Sequence, residues 1–444
     1  MIEKLFNLSG QQSTFKAELI GGITTFIAGM YIIIVNPAIL VEAGIPYSAA
    51  LTATVVLSAV STIAMGLYAK NPILIAPGMG INAYFTYTVV LGMGVKPEVA
   101  LGAVFWSGVV FVVLSIFNIR SAIVKAIPAV VRIGGAVGIG LFIALIGFHD
   151  AGFIVVKAPL LGVKSITAAN LTFLIGLFIT IILLIRGYKG AFIIGIILTT
   201  IMTLPIGRWW GDASDINNGV ATLVSWDGIY AAPDFSWFFK LDMVESLKFS
   251  FIPIIFTMMF VDMFDSITTF VGMAEAADIT DEDGNPRNMK KSLIVDGFAT
   301  LFAGLFGTSA GTAYIESAAG VHEGGRTGLS AVITGLLFLP FMFFSPLAEM
   351  IPAVATAPVL ILVGVYMASP LNKINWSNLE DAIPAFLTLI LIPLTYSLTQ
   401  GLVYGMLAFT VIKLVKGKTS EITWSLIIID LFSILVLGIE YGIF

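Results

Sequence analysis

The chain has 444 residues, of which 58% are hydrophobic and only 11% are charged, with a formal net charge of −5 at pH 7. Soluble domains carry roughly a quarter charged residues, so this composition excludes an ordinary soluble protein and requires lipid around much of its surface. The sequence contains no cysteine and two histidines, which excludes disulfides and a histidine-rich metal site, and the thinly spread charge gives no indication of a nucleic-acid partner.

Apolar stretches of about 20 residues recur along the whole chain, which predicts an all-α polytopic membrane protein. Between their Gly, Pro and polar breakers, the first half contains spans near 18–40, 48–68, 76–92, 98–117, 129–148, 168–186 and 189–206. After a polar segment at 207–242, the second half contains spans near 246–274, 291–306, 312–323, 327–345, 353–369, 381–398 and 400–415. The prediction is therefore about 14 transmembrane elements. A last apolar segment at 423–443 either crosses the membrane or lies along it.

The distribution of Lys and Arg predicts the orientation of these spans. With a cytoplasmic N-terminus, sixteen of the 22 basic residues fall on the inner side and six on the outer side. An excess of Lys and Arg in inner loops is the expected bias of a membrane protein. The loop at 279–291 is then cytoplasmic, and the loop at 209–219 is external.

Two internal similarities indicate that the halves repeat each other. The sequences "AIPAV" (126–130) and "MIPAV" (350–354) each precede a block of three spans, although a chance tetrapeptide is the alternative explanation. The irregular stretches "NPILIAPGMGINAYF" (71–85) and "FGTSAGTAYIESAAG" (306–320) each occupy the third position of their half. Because seven elements per half is an odd number, the second half is predicted to be inverted, as in many secondary transporters.

The two irregular stretches are predicted to be broken membrane elements. Irregular backbone at membrane depth is tolerated only inside protein or beside a cavity, since every N–H and C=O needs a partner. Pro72, Pro77 and Gly78 interrupt the first stretch, and Gly307 and Gly311 interrupt the second. Each is predicted to be a short extended piece followed by a half-helix that starts near Gly78 or Ala313. Paired broken segments of this kind are a sequence indication of a transporter's binding site.

Carboxylates inside the predicted spans are candidates for function, because charge is costly there. Asp262 and Asp265 lie three residues apart, and Ser266 and Thr269 extend a polar stripe along the same apolar helix. Glu316 lies in the second broken element, and Asn82 takes a similar place in the first. The alternative is that these side chains only bind neighbouring helices.

Three other polar residues are interpreted differently. Asp296 is predicted to be an interhelical packing partner, Glu18 a structural residue at a helix start, and His322 part of a loop.

Four stretches resemble the signature segments of the AzgA-like purine nucleobase permeases, a branch of the nucleobase–cation symporter-2 (nucleobase/ascorbate transporter) group. They are "TTFIAGMYIIIVNPAIL", "NPILIAPGMGINAYF", "FVDMFDSITTFVGMA" and "GTSAGTAYIESAAGVHEGGRTGLSAVITG". The resemblance implies 14 elements in two inverted repeats of seven, with a short strand and half-helix at positions 3 and 10. It also implies uptake of adenine, guanine or hypoxanthine coupled to protons.

The same resemblance implies a core domain moving against a gate domain. In this chain the predicted parts are the core at 13–118 and 243–345, the gate at 119–206 and 346–418, an extracellular loop at 207–242 and a C-terminal hydrophobic helix at 419–444.

Residue by residue, the resemblance assigns substrate contacts to Asp265, Glu316 and Asn82, and it places Thr25 and Phe26 in the matching stretch of the first span. Thr312, in the second broken element, completes the predicted substrate set. The candidates for proton coupling are Glu316, Asp265 and Asp262. Thr268 stands where the family usually has glycine, which leaves the purine preference open.

The predicted partners are a purine base, protons and the lipid bilayer of the cell membrane, and a homodimer is left open. No cofactor or metal ligand is predicted, and no catalytic residue, since nothing resembles an intramembrane nucleophile–base pair or a HExxH motif. Alternatives within the same fold are a uracil/xanthine permease and an anion transporter. An ion channel is another alternative, but the asymmetric acidic residues argue against it.

Overall fold

A computed structural model of the chain describes residues 2–117, 127–157, 160–217, 219–226, 228–277, 279–280 and 286–440. Parts of five sequence predictions lie outside these ranges. They are the core–gate boundary at 118/119, residue 126 of "AIPAV", the centre of the 279–291 loop, residue 218 of the 209–219 loop and the last residues of the 423–443 segment.

In the first half, the helices and strands follow one another in the order α1 Ile2–Phe6, α2 Phe15–Gly29, α3 Ile32–Glu42, α4 Tyr47–Ala64, β1 Ile75–Pro77, α5 Met79–Ala83, α6 Pro97–Ile116, α7 Ala129–Asp150, β2 Ile154–Lys157, β3 Leu160–Val163, α8 Ala168–Ile185 and α9 Ala191–Thr203. Wider π-helical turns continue α4 over Met65–Ala69 and α5 over Tyr84–Gly92. Strands β2 and β3 form a hairpin that the sequence interpretation did not include.

In the second half, the order is α10 Ile252–Ala277, α11 Met289–Phe306, β4 Gly311–Ala313, α12 Ser317–His322, α13 Gly328–Phe338, α14 Ser345–Glu349, α15 Ala353–Met367, α16 Leu379–Thr395, α17 Leu398–Val415 and α18 Trp424–Glu440. Within the described ranges, eight helical segments are long and apolar enough to cross a membrane, and the first of them, Phe15–Glu42, comprises α2 and α3. The prediction of a polytopic helical membrane protein is confirmed, whereas the count of 14 elements and the inverted repeat stay predictions.

The first predicted span, 18–40, is not one uninterrupted helix. Helix α2 ends at Gly29 and α3 begins at Ile32, and the backbone tightens so that the N–H groups of Ile33 and Ile34 bond three residues back. Pro37 lies farther along, inside α3, where it has no N–H to donate to the carbonyl of Ile33. The break places Tyr31 between the two helices.

Strands β1 and β4 belong to the two broken elements and pair with each other in antiparallel fashion. The register joins Ile75 to Ala313, Ala76 to Thr312 and Pro77 to Gly311. This confirms the prediction of a short strand followed by a short helix in both elements. The pairing gives each irregular backbone the hydrogen-bond partners that lipid cannot supply.

The second half-helix starts later than predicted. Helix α5 begins at Met79, close to the predicted Gly78, but α12 begins at Ser317 and not near Ala313. The reason is that strand pairing continues beyond Ala313. The N–H of Tyr314 donates to the carbonyl of Leu74 at 3.0 Å, and the N–H of Leu74 donates to the Ser317 hydroxyl at 3.0 Å.

A buried polar cluster holds the chain that leads into β4. The Asn36 amide donates to the hydroxyls of Thr54 at 2.7 Å and Thr308 at 2.9 Å, and the Ser309 hydroxyl donates to its amide oxygen at 3.3 Å. These residues are all fully buried. Because buried polar groups are costly unless bonded, this network fixes the approach to β4 against α3 and α4.

Glu18 on α2 has a structural role, as predicted from its position. Its carboxylate accepts from the backbone N–H groups of Arg326, Thr327 and Ser330 at 2.9–3.1 Å and from the Ser330 hydroxyl at 2.6 Å. The carboxylate thereby caps the start of α13, where backbone N–H groups lack helical partners.

We expect Glu18→Ala to lower the free energy of unfolding by roughly 3 kcal/mol, because it leaves several buried donors without an acceptor. Thermal unfolding of the detergent-purified protein measures the loss. Glu98→Ala is the control, since Glu98 is half-buried in the first turn of α6. Equal unfolding temperatures for the two variants would contradict the capping role.

Candidate functional site

The polar stripe of α10 lies against strand β4. The Thr312 hydroxyl lies 2.8 Å from the Ser266 hydroxyl and donates to Oδ2 of Asp265 at 3.4 Å. The backbone N–H of Ala313 also donates to Ser266, at 3.4 Å. The structure therefore brings together Asp265 and Thr312, which the sequence interpretation assigned to the same site.

Glu316 lies just beyond β4, where the chain turns into α12. It is half-buried, and its Oε1 accepts a hydrogen bond of 2.6 Å from the hydroxyl of Tyr31. Asp265 is also half-buried and lies close enough to Glu316 for the two charges to interact. The two carboxylates predicted to bind substrate thus share one site, at the junction of β4, α10 and the α2–α3 break.

Asp262 lies one turn before Asp265 but is fully buried. Its Oδ2 accepts a short hydrogen bond from the Thr300 hydroxyl, which also donates to the carbonyl of Gly311 at 3.1 Å. Asp296, the predicted packing partner on α11, is fully buried and interacts electrostatically with Asp262. These contacts place Asp262 behind β4, next to α11.

Asn82 is fully buried on α5. Among the described residues, neither its amide nitrogen nor its amide oxygen has a hydrogen-bond partner, and the same holds for the hydroxyl of Thr86 one turn later. Burying such groups unpaired costs free energy, so a ligand or water that bonds to them would be stabilised there.

In the described structure, no hydrogen bond joins Thr25 to the carboxylates, and the ring contacts of Phe26 are with other aromatic residues. Thr25 packs closely against Gly320 of α12. A Cβ atom at position 320 would lie only 2.0 Å from the hydroxyl oxygen of Thr25, so only glycine fits there. The ring of Phe26 packs against Phe338 at 5.1 Å and Phe341 at 5.5 Å between ring centroids. Their predicted contact with substrate stays a prediction.

Tyr31 is the site residue that the sequence interpretation missed. A tyrosine in an otherwise apolar span is a detectable signal, because its hydroxyl usually finds a partner when it is buried. Its partner could not be identified from the sequence, because Tyr31 and Glu316 are 285 positions apart.

The site offers acceptors, donors and aromatic surface to a flat polar ligand. Asp265 and Glu316 present carboxylate oxygens. The Asn82 amide offers a donor and an acceptor without a hydrogen-bond partner among the described residues, and its place beside the two carboxylates stays a prediction. Phe264, next to Asp265, is half-buried and packs edge-on against Phe260 at 4.4 Å between ring centroids. Thr268 is exposed on the following turn of α10. A ligand with N–H groups on its edges matches these acceptors.

Comparison with known proteins gives consistent results. A model of the Permease family (Xan_ur_permease) matches residues 16–404. The Adenine permease AdeP of Escherichia coli (strain K12) is 38% identical over 439 residues, which is 98% of this chain and 95% of that protein. The Guanine/hypoxanthine permease PbuO of Bacillus subtilis (strain 168) is 36% identical over 429 residues, which is 94% of this chain and 96% of that protein.

Two solved structures share the fold. The transmembrane domain of the cyanobacterium bicarbonate transporter BicA has a TM-score of 0.62 at 16% identity, and the match covers 88% of this chain and 97% of the BicA chain. The overall structure of SLC26A9 has a TM-score of 0.64 at 11% identity, and the match covers 92% of this chain and 68% of the SLC26A9 chain. At these identities the likeness concerns the fold alone. The resemblance found in the sequence is confirmed by the family match and the curated relatives: the chain is a multi-pass membrane protein that belongs to the Permease family.

Proposed function

We propose that this protein imports purine nucleobases, namely hypoxanthine, guanine or adenine, across the cell membrane by proton symport. The observation that carries the proposal is the pair of half-buried carboxylates, Asp265 and Glu316, held beside the paired strands of the two broken elements. The names of the related adenine and guanine/hypoxanthine permeases support the choice of substrate.

The proposed recognition follows from the hydrogen-bonding edges of a purine. Asp265 and Glu316 accept from ring and exocyclic N–H groups, and the Asn82 amide bonds to a donor and an acceptor on another edge. Thr312 orients Asp265. Thr25 and Phe26 complete the proposed substrate set from the first span. A base with the wrong edge pattern leaves buried polar groups unpaired, which gives strong discrimination.

The proposed coupling uses the cost of charge inside the membrane. A proton taken up by Glu316, Asp265 or Asp262 neutralises a carboxylate that would otherwise cross the membrane interior as a charge. In the proposal, the neutralised and loaded core (13–118 and 243–345) moves against the gate (119–206 and 346–418), with the N-terminus in the cytoplasm and 207–242 outside.

An anion is a poorer fit to this site. Among the described residues, the side chains that donate hydrogen bonds to Asp265 and Glu316 are the hydroxyl groups of Thr312 and Tyr31, and an anion next to two carboxylates would be repelled. The likeness in fold to a bicarbonate transporter does not change this, because one fold carries many substrates.

Uptake of radiolabelled hypoxanthine, adenine, guanine, uracil and xanthine by transporter-deficient cells tests the proposal. We expect uptake of at least one of the three purines hypoxanthine, adenine and guanine, stimulated by an inward proton gradient and abolished by a protonophore. Cells with the empty vector are the control. Uptake confined to uracil or xanthine would support the alternative within this fold, and no uptake of any base would overturn the proposal.

A further inference from the structure

Tyr31 connects Glu316, a carboxylate proposed to bind the substrate, to a part of the chain that is predicted to move relative to Glu316. Tyr31 is 1% exposed at the break between α2 and α3, and its hydroxyl donates to Oε1 of Glu316 at 2.6 Å. Its ring packs edge-on against Phe192 of α9, with 5.1 Å between centroids, and Phe192 packs edge-on against Tyr366 of α15 at 6.2 Å. Helices α9 and α15 lie in the two predicted gate segments.

We infer that Tyr31 is a positioning residue whose hydroxyl controls the protonation of Glu316 and whose ring makes that control depend on the position of the gate. The inference deepens the proposed function and rests on it for the role of Glu316 in transport. The hydrogen bond and its effect on the carboxylate do not depend on the identity of the substrate.

The hydrogen bond from Tyr31 fixes one oxygen of the Glu316 carboxylate. Tyr31 occupies Oε1, so the orientation of the carboxylate is set by a rigid aromatic side chain with few rotatable bonds. The aromatic contact with Phe192 restrains the ring of Tyr31 from the other side. Displacement of α9 relative to α3 removes this restraint and loosens the hydrogen bond.

The electrostatic surroundings make this bond important for the charge of Glu316. Among the described residues, the titratable groups that interact with Glu316 include Asp265 on α10, Tyr314 on its own segment, Tyr366 on α15 and Tyr31 itself. These four are acids, so none of them supplies a positive counter-charge. A hydroxyl that donates to a carboxylate stabilises the ionised form. The loss of this donor therefore favours protonation of Glu316, and so does its displacement by gate movement.

The test is an infrared titration of the purified protein in lipid. The band of the protonated Glu316 carboxyl is identified as the difference between wild type and Glu316→Gln. We expect Tyr31→Phe to move the midpoint of this band upward by about one pH unit, because it removes one charge-assisted hydrogen bond and keeps the ring. Phe192→Leu should move the midpoint in the same direction by less, because it removes only the restraint on the ring.

Tyr47→Phe is the matched control, since Tyr47 is buried and its hydroxyl has no partner among the described residues. It should leave the midpoint unchanged. An unchanged midpoint in both Tyr31→Phe and Phe192→Leu would overturn the inference, and so would an equal change in Tyr47→Phe. If Tyr31→Phe does not fold, Phe192→Leu carries the test.

A transport measurement separates this inference from the proposed function. In proteoliposomes, the pH profile of hypoxanthine uptake by Tyr31→Phe should shift in the same direction as the infrared midpoint. A shifted infrared midpoint in a protein that transports no purine would overturn the proposed function and leave the role of Tyr31 in controlling Glu316 intact. If Tyr31→Phe took up hypoxanthine normally, with the same infrared midpoint and pH profile as wild type, only the role of Tyr31 would be overturned.

Discussion

Replacing Glu316 with glutamine is expected to reduce proton-driven hypoxanthine uptake by about 100-fold and to make the residual uptake independent of the pH gradient. Glutamine keeps the size of the side chain and one acceptor oxygen, but it can neither bind nor release the coupled proton. It also weakens the bond from Tyr31, because a charge-assisted hydrogen bond becomes a neutral one.

Uptake into proteoliposomes, with and without an imposed proton gradient, measures both parts of this expectation. Glu245→Gln is the control, because Glu245 lies in the short helical turn Glu245–Leu247 before α10 and pairs with Lys248 at 2.5 Å. Wild-type dependence on the gradient in Glu316→Gln would assign coupling to another carboxylate, with Asp265 and Asp262 as the remaining candidates.

Replacing Asp265 with asparagine is expected to weaken equilibrium binding of the purine by about 30-fold, with little change in protein stability. The amide loses the charge that strengthens a bond to a substrate N–H, while its oxygen still accepts from Thr312. The expected signature is a large rise in the dissociation constant, because Asp265 is assigned to substrate recognition.

Calorimetric titration of the purified variants with hypoxanthine measures this change in affinity. Asp215→Asn is the control, since Asp215 is exposed and pairs with Lys164 at 3.0 Å, away from the site. If Asp265→Asn bound the purine as tightly as wild type, Asp265 would not contact the substrate. Its bond to Thr312 would then be structural.

Much of the fold could be predicted from local sequence. Apolar length predicts the spans, and Pro and Gly at the third position of each half predict the two broken elements that form β1–α5 and β4–α12. Such features depend on residues close together in the chain. A helix of about 20 apolar residues and a proline break are local consequences of the bilayer and the backbone.

The boundaries that were wrong depend on distant partners. Helix α12 starts at Ser317 because the backbone of Tyr314 bonds to Leu74, 240 positions earlier, and not because of its own helix propensity. The break before α3 and the hairpin β2–β3 were likewise missing from the sequence interpretation. Local pattern cannot identify which strand an extended segment will pair with.

In the candidate site, too, some features were predictable from the sequence and others depend on distant contacts. The sequence by itself determined that this is a membrane protein, which family it resembles and which carboxylates in its spans were candidates, because charge in lipid is costly wherever the chain folds. Only the tertiary structure decided that Asp265 and Thr312 meet, that Glu316 is bonded to Tyr31, and that Phe26 packs against Phe338. The physical reason is that these contacts join residues from 47 to 312 positions apart, and the direction of each side chain is set by the helices and strands packed around it.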